Sequence, residues 1–233
     1  MDYVWIIDPT VPPNPKGPSM RVATATVLSA LSALLILAFA TPAPAETAAA
    51  NDPATPTTDL TKVQGGNFAI DKNHAKIIFS TSHFGFSTYY GLFTDFDAQL
   101  RFDPKAPAAS TLEVRIGLDG IDTTNPKLDT HLKSADFFDI AKYPEATFKS
   151  TTITVTGPAT GTITGDLTLH GVAKPVTLAA SFAGGGVNPM TKAYVLGFSA
   201  TGTLKRSDFG INRVPAIGDT VTLTISGEFD RIP

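Results

Sequence analysis

The chain has 233 residues, 42% hydrophobic and 17% charged, with a net charge of -3. That length suffices for one large all-β domain or two small ones, and the interspersed charge argues against nucleic acid, which favours a basic face. No cysteine is present, which excludes disulfides, thiolate metal sites, a cysteine nucleophile and a lipid-modified cysteine anchor.

Residues 1–19, MDYVWIIDPTVPPNPKGPS, are Pro-rich and carry Asp2 and Asp8. They do not read as the start of an export signal, and translation is expected to begin at Met20; a genuine long n-region is the alternative. From there Arg21 precedes the uncharged run Val22–Ala40, and Ala43-Pro44-Ala45 forms a small-x-small cleavage site before Glu46. Residues 20–45 are therefore read as a secretory signal peptide; an uncleaved membrane anchor is the alternative, given the length of the run. Residues 46–66 are rich in Ala, Thr and Pro and are expected to be a disordered linker. The folded domain is expected at 67–233.

From Phe68 on, apolar and polar residues alternate with period two. Phe96, Ala98, Leu100 and Phe102 alternate with Asp95, Asp97, Gln99 and Arg101. Leu112, Val114, Ile116 and Leu118 follow the same pattern, as do Ile163, Leu167 and Leu169, then Val176, Leu178, Ala180 and Phe182. Leu196, Phe198, Ala200 and Leu204 continue it, and Val221, Leu223, Ile225 and Phe229 close the chain. Turn signals in DPKAP, TGPATG, HGVAKP, AGGGVNP and VPAIGD separate these runs. About eight strands with one apolar face each predict an antiparallel barrel or sandwich. Small residues expected to face inward are Ala98, Gly117, Gly165, Ala180, Ala200, Gly202 and Gly227. They fit either an interdigitated, filled interior or a long apolar cavity.

One segment departs from period two. In TTNPKLDTHLKSADFF, Asn125 is a helix N-cap, Pro126 stands at the first helical position, and Leu128, Leu132 and Ala135 recur at helical spacing. This short helix runs into Phe137 and Phe138, and Tyr143 and Phe148 follow. These rings either line a cavity mouth or seal the helix onto the strands.

Polar chemistry is sparse. Of the four histidines, His74, His83, His131 and His170, none forms an H-x-H or H-E-x-x-H pair, so no metal is expected. His83 shares a strand face with Ile77, Phe79 and Thr81 and is expected to point inward. His131 faces either the strands or water, and His170 is expected to be solvated in a turn. The Ser207–Gly210 run SDFG lacks a phosphate loop or catalytic loop elsewhere; Asp208 is expected to cap a turn and Gly210 to supply a positive φ.

The stretches HLKSADFFDIAKYPEATFKS (131–150), GDLTLHGVAKPVTL (165–178), GFSATGTLKRSDFGI (197–211) and HFGFSTYYGLFTDFDAQLRFD (83–103) together resemble the YceI-like family of exported, lipocalin-like barrels. The resemblance spans about Asn67 to Ile232. It implies an all-β fold, an extended eight-stranded antiparallel lipocalin-like barrel with one short helix near an opening. It also implies a periplasmic location, no cofactor, and binding of an amphiphilic isoprenoid lipid such as a polyprenyl phosphate or quinone. The residues placed against such a ligand are His83, Phe84, Phe96, His131, Phe137, Phe138, Tyr143, Phe148, Phe198 and Arg206. Arg206, His83, His131 and Lys133 are the candidates for the headgroup, with Arg206 suited to a phosphate. Partners implied are the lipid itself, a membrane donor or acceptor protein, and a second copy in a homodimer. The alternatives are an enzyme acting on such a lipid through His83 or His131, and a filled barrel acting through its surface.

Overall fold

The computed structural model describes residues 55–233. The expected extension at 1–19, the signal peptide at 20–45 and the first part of the linker lie outside the described residues. The strands belong to one compact unit, Thr47–Pro233. In chain order they are β1 (Gly66–Ile70), β2 (Lys76–His83), β3 (Ser87–Phe102), β4 (Thr111–Asp122), β5 (Glu145–Gly157), β6 (Thr160–Leu169), β7 (Val172–Val187), β8 (Tyr194–Lys205) and β9 (Ile217–Ile232). The helix α1 (Pro126–Lys133) lies between β4 and β5.

Each strand from β2 to β9 pairs antiparallel with the next, and β9 returns to pair with β2. β1 also lies between β3 and β9, so β1 and β2 occupy one lane, interrupted by a 3-10 turn at Lys72–His74. Nine strands thus close an eight-lane barrel, in which every strand is paired on both sides along at least part of its length. The alternation in the sequence becomes the two faces of this wall. Phe96, Ala98, Leu100 and Phe102 are buried inside. Outside, Arg115 bridges Asp95 and Glu145, and Lys149 pairs with Glu113. An apolar inside and charged outside is the inverse of a membrane-spanning barrel. Among the described residues no helix is long and apolar enough to cross a membrane.

The strands alternate direction, so the barrel has two ends. At the helix end, α1 begins as expected: the Asn125 side chain accepts from the backbone N–H groups of Lys127 and Leu128, with Pro126 next. This end also carries the β2–β3, β6–β7 and β8–β9 turns. Its core gathers Leu118, Leu169, Phe209 and Ile211. The opposite core holds Val63, Phe68, Phe182, Leu196 and Phe229.

Three expectations change. Residues 55–66 are not a loose linker in this fold. Thr57 exchanges two backbone hydrogen bonds with Gly185, both 2.9 Å, Leu60–Lys62 forms a 3-10 turn, and Val63 is buried. The segment crosses the end of the barrel from β7 to β1 as a strap. The triglycine Gly184–Gly186 is not a turn but the last stretch of β7. A Cβ on Gly185 would stand 2.9 Å from Val63, and one on Gly184 3.1 Å from Pro56, so the glycines make room for the strap. Gly117 faces outward, where its missing Cβ admits the Asp95 carboxylate. Gly165 and Gly202 do face inward, beneath Phe148 and Leu178.

Candidate functional site: an apolar cavity

The interior is not filled. A cavity of about 280 Å³ runs along the barrel, near the lower end of the size usual for ligand sites. Its wall is almost entirely hydrocarbon; the polar residues that reach it are Lys76, Ser110, Thr154, Thr160, Ser199 and Ser226. Small inward residues leave this space: Ala98, Ala180, Ala200 and Gly227 all line it.

The helix end of the cavity is closed. Phe138 lines it and packs edge-on against Phe93, with centroids 6.2 Å apart. Leu118 behind it is fully buried. Toward the strap end the wall is incomplete. β4 and β5 stop pairing at Glu113↔Lys149, because the next backbone donor, Leu112 N–H, bonds the Ser150 hydroxyl instead, at 2.8 Å. Pro104 and Pro107 in the β3–β4 connection supply no backbone donor there. β5 therefore runs on to Gly157 beside the short turn Pro107–Ala109. Leu60, Pro107, Ile153, Val155 and Ala159 line the cavity at this gap, and Val155 is 49% exposed. The gap is a lateral portal.

Of the ten expected ligand contacts, Phe96, Phe138, Phe148 and Phe198 line the cavity. Phe198 stands in an aromatic cluster with Phe182, Phe229 and Phe102, at centroid distances of 5.3, 6.2 and 6.0 Å. The other six do not line it. Phe137 packs against the outer side of the helix-end core and the His131 ring. His131 itself lies 3.6 Å from Asp136 at the surface. Tyr143 packs edge-on against His170 and covers Gly171, where a Cβ would approach its ring to 2.5 Å. His83 keeps its strand's register, opposite Ser87 of β3, but it ends β2 beyond the cavity, edge-on to Phe84, which is 46% exposed in the β2–β3 turn.

Arg206 is the largest correction. Its guanidinium is buried and donates to five backbone carbonyls: Gly218 from Nε, Ile211 and Arg213 from Nη1, and Val214 and Ile217 from Nη2. A guanidinium has five N–H donors, so none remains for a phosphate. Lys133 is likewise engaged, in an ion pair with Asp119 at 3.0 Å. His170 is half-buried in its turn, with Nδ1 3.0 Å from the Phe209 carbonyl. Its φ of 51° and that of Gly171, 74°, make the two-residue β6–β7 hairpin turn. Gly210 takes the expected left-handed conformation, but the carboxylate that ties its turn is Asp219, which accepts from the Ser207 N–H and hydroxyl. Those bonds hold Asp219 below its ordinary pKa.

The titratable groups with displaced pKa lie away from the cavity. The His74 imidazole, 2.6 Å from Asp71, lowers Asp71 and is itself raised; burial and the Asp71 charge raise Asp230. Among the described residues no group of three His, Asp or Glu is placed to hold a metal. Sequence reading missed Leu60, Val155 and Ala159. The alternation Thr152-Ile153-Thr154-Val155 carried a signal for Val155, whereas Leu60 is a lone apolar residue in a Thr- and Pro-rich stretch.

An eight-lane antiparallel barrel around an apolar cavity, sealed at one end by a short helix, defines a lipocalin-like barrel. Residues 68–229 match the YceI-like domain, and the chain belongs to that family. The UPF0312 protein of Ectopseudomonas mendocina (strain ymp) is 43% identical over 170 residues, covering 72% of this chain and 88% of that one. Among solved structures, Burkholderia cenocepacia BcnA matches with a TM-score of 0.62 at 25% identity, over 68% of this chain and 98% of BcnA. The Campylobacter jejuni YceI protein matches at 0.59 and 32% identity, over 65% and 90%. A polyisoprenoid-binding domain from Saccharophagus degradans shares the fold at 13% identity, with a TM-score of 0.54, over 72% of this chain and all of that one.

Proposed function

We propose that this protein is a periplasmic binding protein that carries a long-chain isoprenoid lipid in its barrel, without transforming it. The observation that carries the reading is the cavity wall: a long surface of hydrocarbon, reached through a portal, with no cluster of titratable groups along it. The polyisoprenoid-binding description of the Saccharophagus degradans domain supports the same class of ligand. Burial yields ~0.8 kcal/mol per methylene, so ten tail carbons offer roughly 8 kcal/mol before ordering costs. That is near micromolar affinity without any polar contact.

The headgroup reading narrows with Arg206 committed to backbone. The portal offers the hydroxyls of Ser110, Thr154 and Thr160, which suit a neutral group such as a quinone carbonyl better than a phosphate. Lys76, the one cation that reaches the cavity, directs its Nζ to the Ala75 carbonyl.

Native mass spectrometry with lipid extraction, on protein purified from a periplasm, tests the proposal. A stoichiometric adduct that fragments as a neutral polyprenyl or quinone species is the expected result. Protein that is empty under gentle ionisation, and stays empty after incubation with such lipids, would overturn it.

A further inference from the structure

Among the described residues, the exposed aromatic side chains gather on the β2–β3 hairpin. Eighteen consecutive residues, Ile77–Thr94, contain no Asp, Glu, Lys or Arg, although 17% of the chain is charged. On the neighbouring outer face the charges resume at once with Asp95 and Asp97. The hairpin tip also holds exposed aromatic surface: Phe86 is 91% exposed, Tyr90 62% and Phe84 46%. This is not a loose loop. Phe84 and Gly85 take positive φ, 53° and 75°, and the Phe86 N–H bonds the His83 carbonyl at 3.0 Å. The His83 ring sits edge-on to Phe84, with centroids 4.5 Å apart, and 6.2 Å from Tyr89. The fold therefore holds Phe86 out into solvent on a rigid, uncharged turn.

We propose that this tip, Phe84, Phe86 and Tyr90, is a membrane-contact element that seats in the interface of a lipid bilayer. An aromatic ring on a convex tip enters the headgroup region without displacing a protein surface. Tyr and His present an apolar body and a polar edge, the combination favoured at that depth. With no full charge in the hairpin, insertion carries no ionic desolvation cost. The absence of basic residues further requires that binding not depend on anionic lipid. Uncharged runs recur at Ser150–Gly165, with exposed Val155, and at Pro175–Thr191, with exposed Val187 and Met190, but among the described residues neither exposes an aromatic ring, and Met190 and Val187 sit at the opposite end of the barrel. The inference is independent of the cargo, because it concerns a surface outside the cavity.

The test uses the unit Thr47–Pro233. All the strands and the strap lie within this one compact unit. The sole tryptophan of the full chain, Trp5, lies outside it, so Phe86→Trp reports on the tip alone. Phosphatidylcholine vesicles free of isoprenoid are the probe. Expected results are co-sedimentation that persists at high salt, a roughly tenfold loss on Phe86→Ser given the worth of burying one ring, and blue-shifted Phe86→Trp emission with vesicles. Melting of Phe86→Ser should match the parent, because the ring is exposed. Four outcomes overturn the proposal. They are no sedimentation, sedimentation unchanged by Phe86→Ser or dependent on phosphatidylglycerol, and a blue shift that appears without vesicles as light scattering reports a doubled mass. The last would assign the tip to contact with a second copy.

Discussion

At the helix end a single side chain organises the closure: Arg206 holds the carbonyls of residues 211–218, and Phe138 and Leu118 plug the cavity beneath. At the other end closure depends on backbone fit. The strap lies against three glycines, held by the Thr57–Gly185 pair and by the Tyr194 hydroxyl accepting from the Gln64 N–H at 3.0 Å, with the portal alongside. One end is a polar keystone in a dry setting; the other is a light cover over hydrocarbon. The difference teaches that the motif richest in aromatic and charged residues serves the architecture, while the opening into the cavity lies by plain residues such as Ile153, Val155 and Ala159.

The sharpest way to break that contrast is Arg206→Met. Five carbonyls lose a charged donor, and stability should fall by about 3 kcal/mol or more. For a domain of this size that is a drop in Tm of roughly 6–12 °C. Lysine should not rescue it, because a point charge cannot reproduce the fork. Ligand capture by the folded fraction should persist; its loss would return Arg206 to the binding site. At the other end, Gly185→Val places a Cβ 2.7 Å from Leu196 and 2.9 Å from Val63. Overpacking of this kind costs about 1–3 kcal/mol, and proteolysis near Thr57 should accelerate as the strap lifts. Val155→Asp should leave Tm within about 0.5 kcal/mol-equivalent of the parent, because the residue is exposed, yet slow uptake of an apolar probe through the portal. Uptake at the parent rate would mean that the ligand enters elsewhere.

The smallest expected effect is electrostatic. The folded state lowers the Asp219 pKa, chiefly through the Ser207 N–H and hydroxyl, so the group contributes stability above its unfolded value of 3.8 and loses it as pH falls through the lower folded value. Asp219→Asn should therefore melt slightly earlier than the parent near neutral pH and converge with it in acid. Parallel melting curves from neutral pH into acid would remove Asp219 from the turn.

The fold was legible because each strand has one wet and one dry face, and period two records that directly. The Asn125–Pro126 helix start was equally local. The shared lane of β1 and β2 was not, since it depends on pairing Asn67 with Ile232 across the whole sequence. The site was half legible. Phe96, Phe148 and Phe198 follow from strand parity, while His83 keeps the parity of β2 and still falls beyond the cavity, because it is the last residue of its strand. Arg206 misled for a physical reason: a buried guanidinium satisfied by backbone carbonyls and one poised for a phosphate are the same letter in the same turn. The strap was invisible because its structure comes from the glycines it rests on, more than a hundred residues away.

The pairing of β1 with β9 has a kinetic consequence. Asn67 meets Ile232, and Phe68 meets Arg231, so the ring cannot close until the final strand exists. The hairpins between β2 and β9 are local and can form early, but the seam requires the largest loop closure in the domain and contributes its hydrogen bonds only at the end. A chain emerging from the ribosome, or threaded through a membrane channel, would remain an open ribbon of hairpins until its last residues arrive.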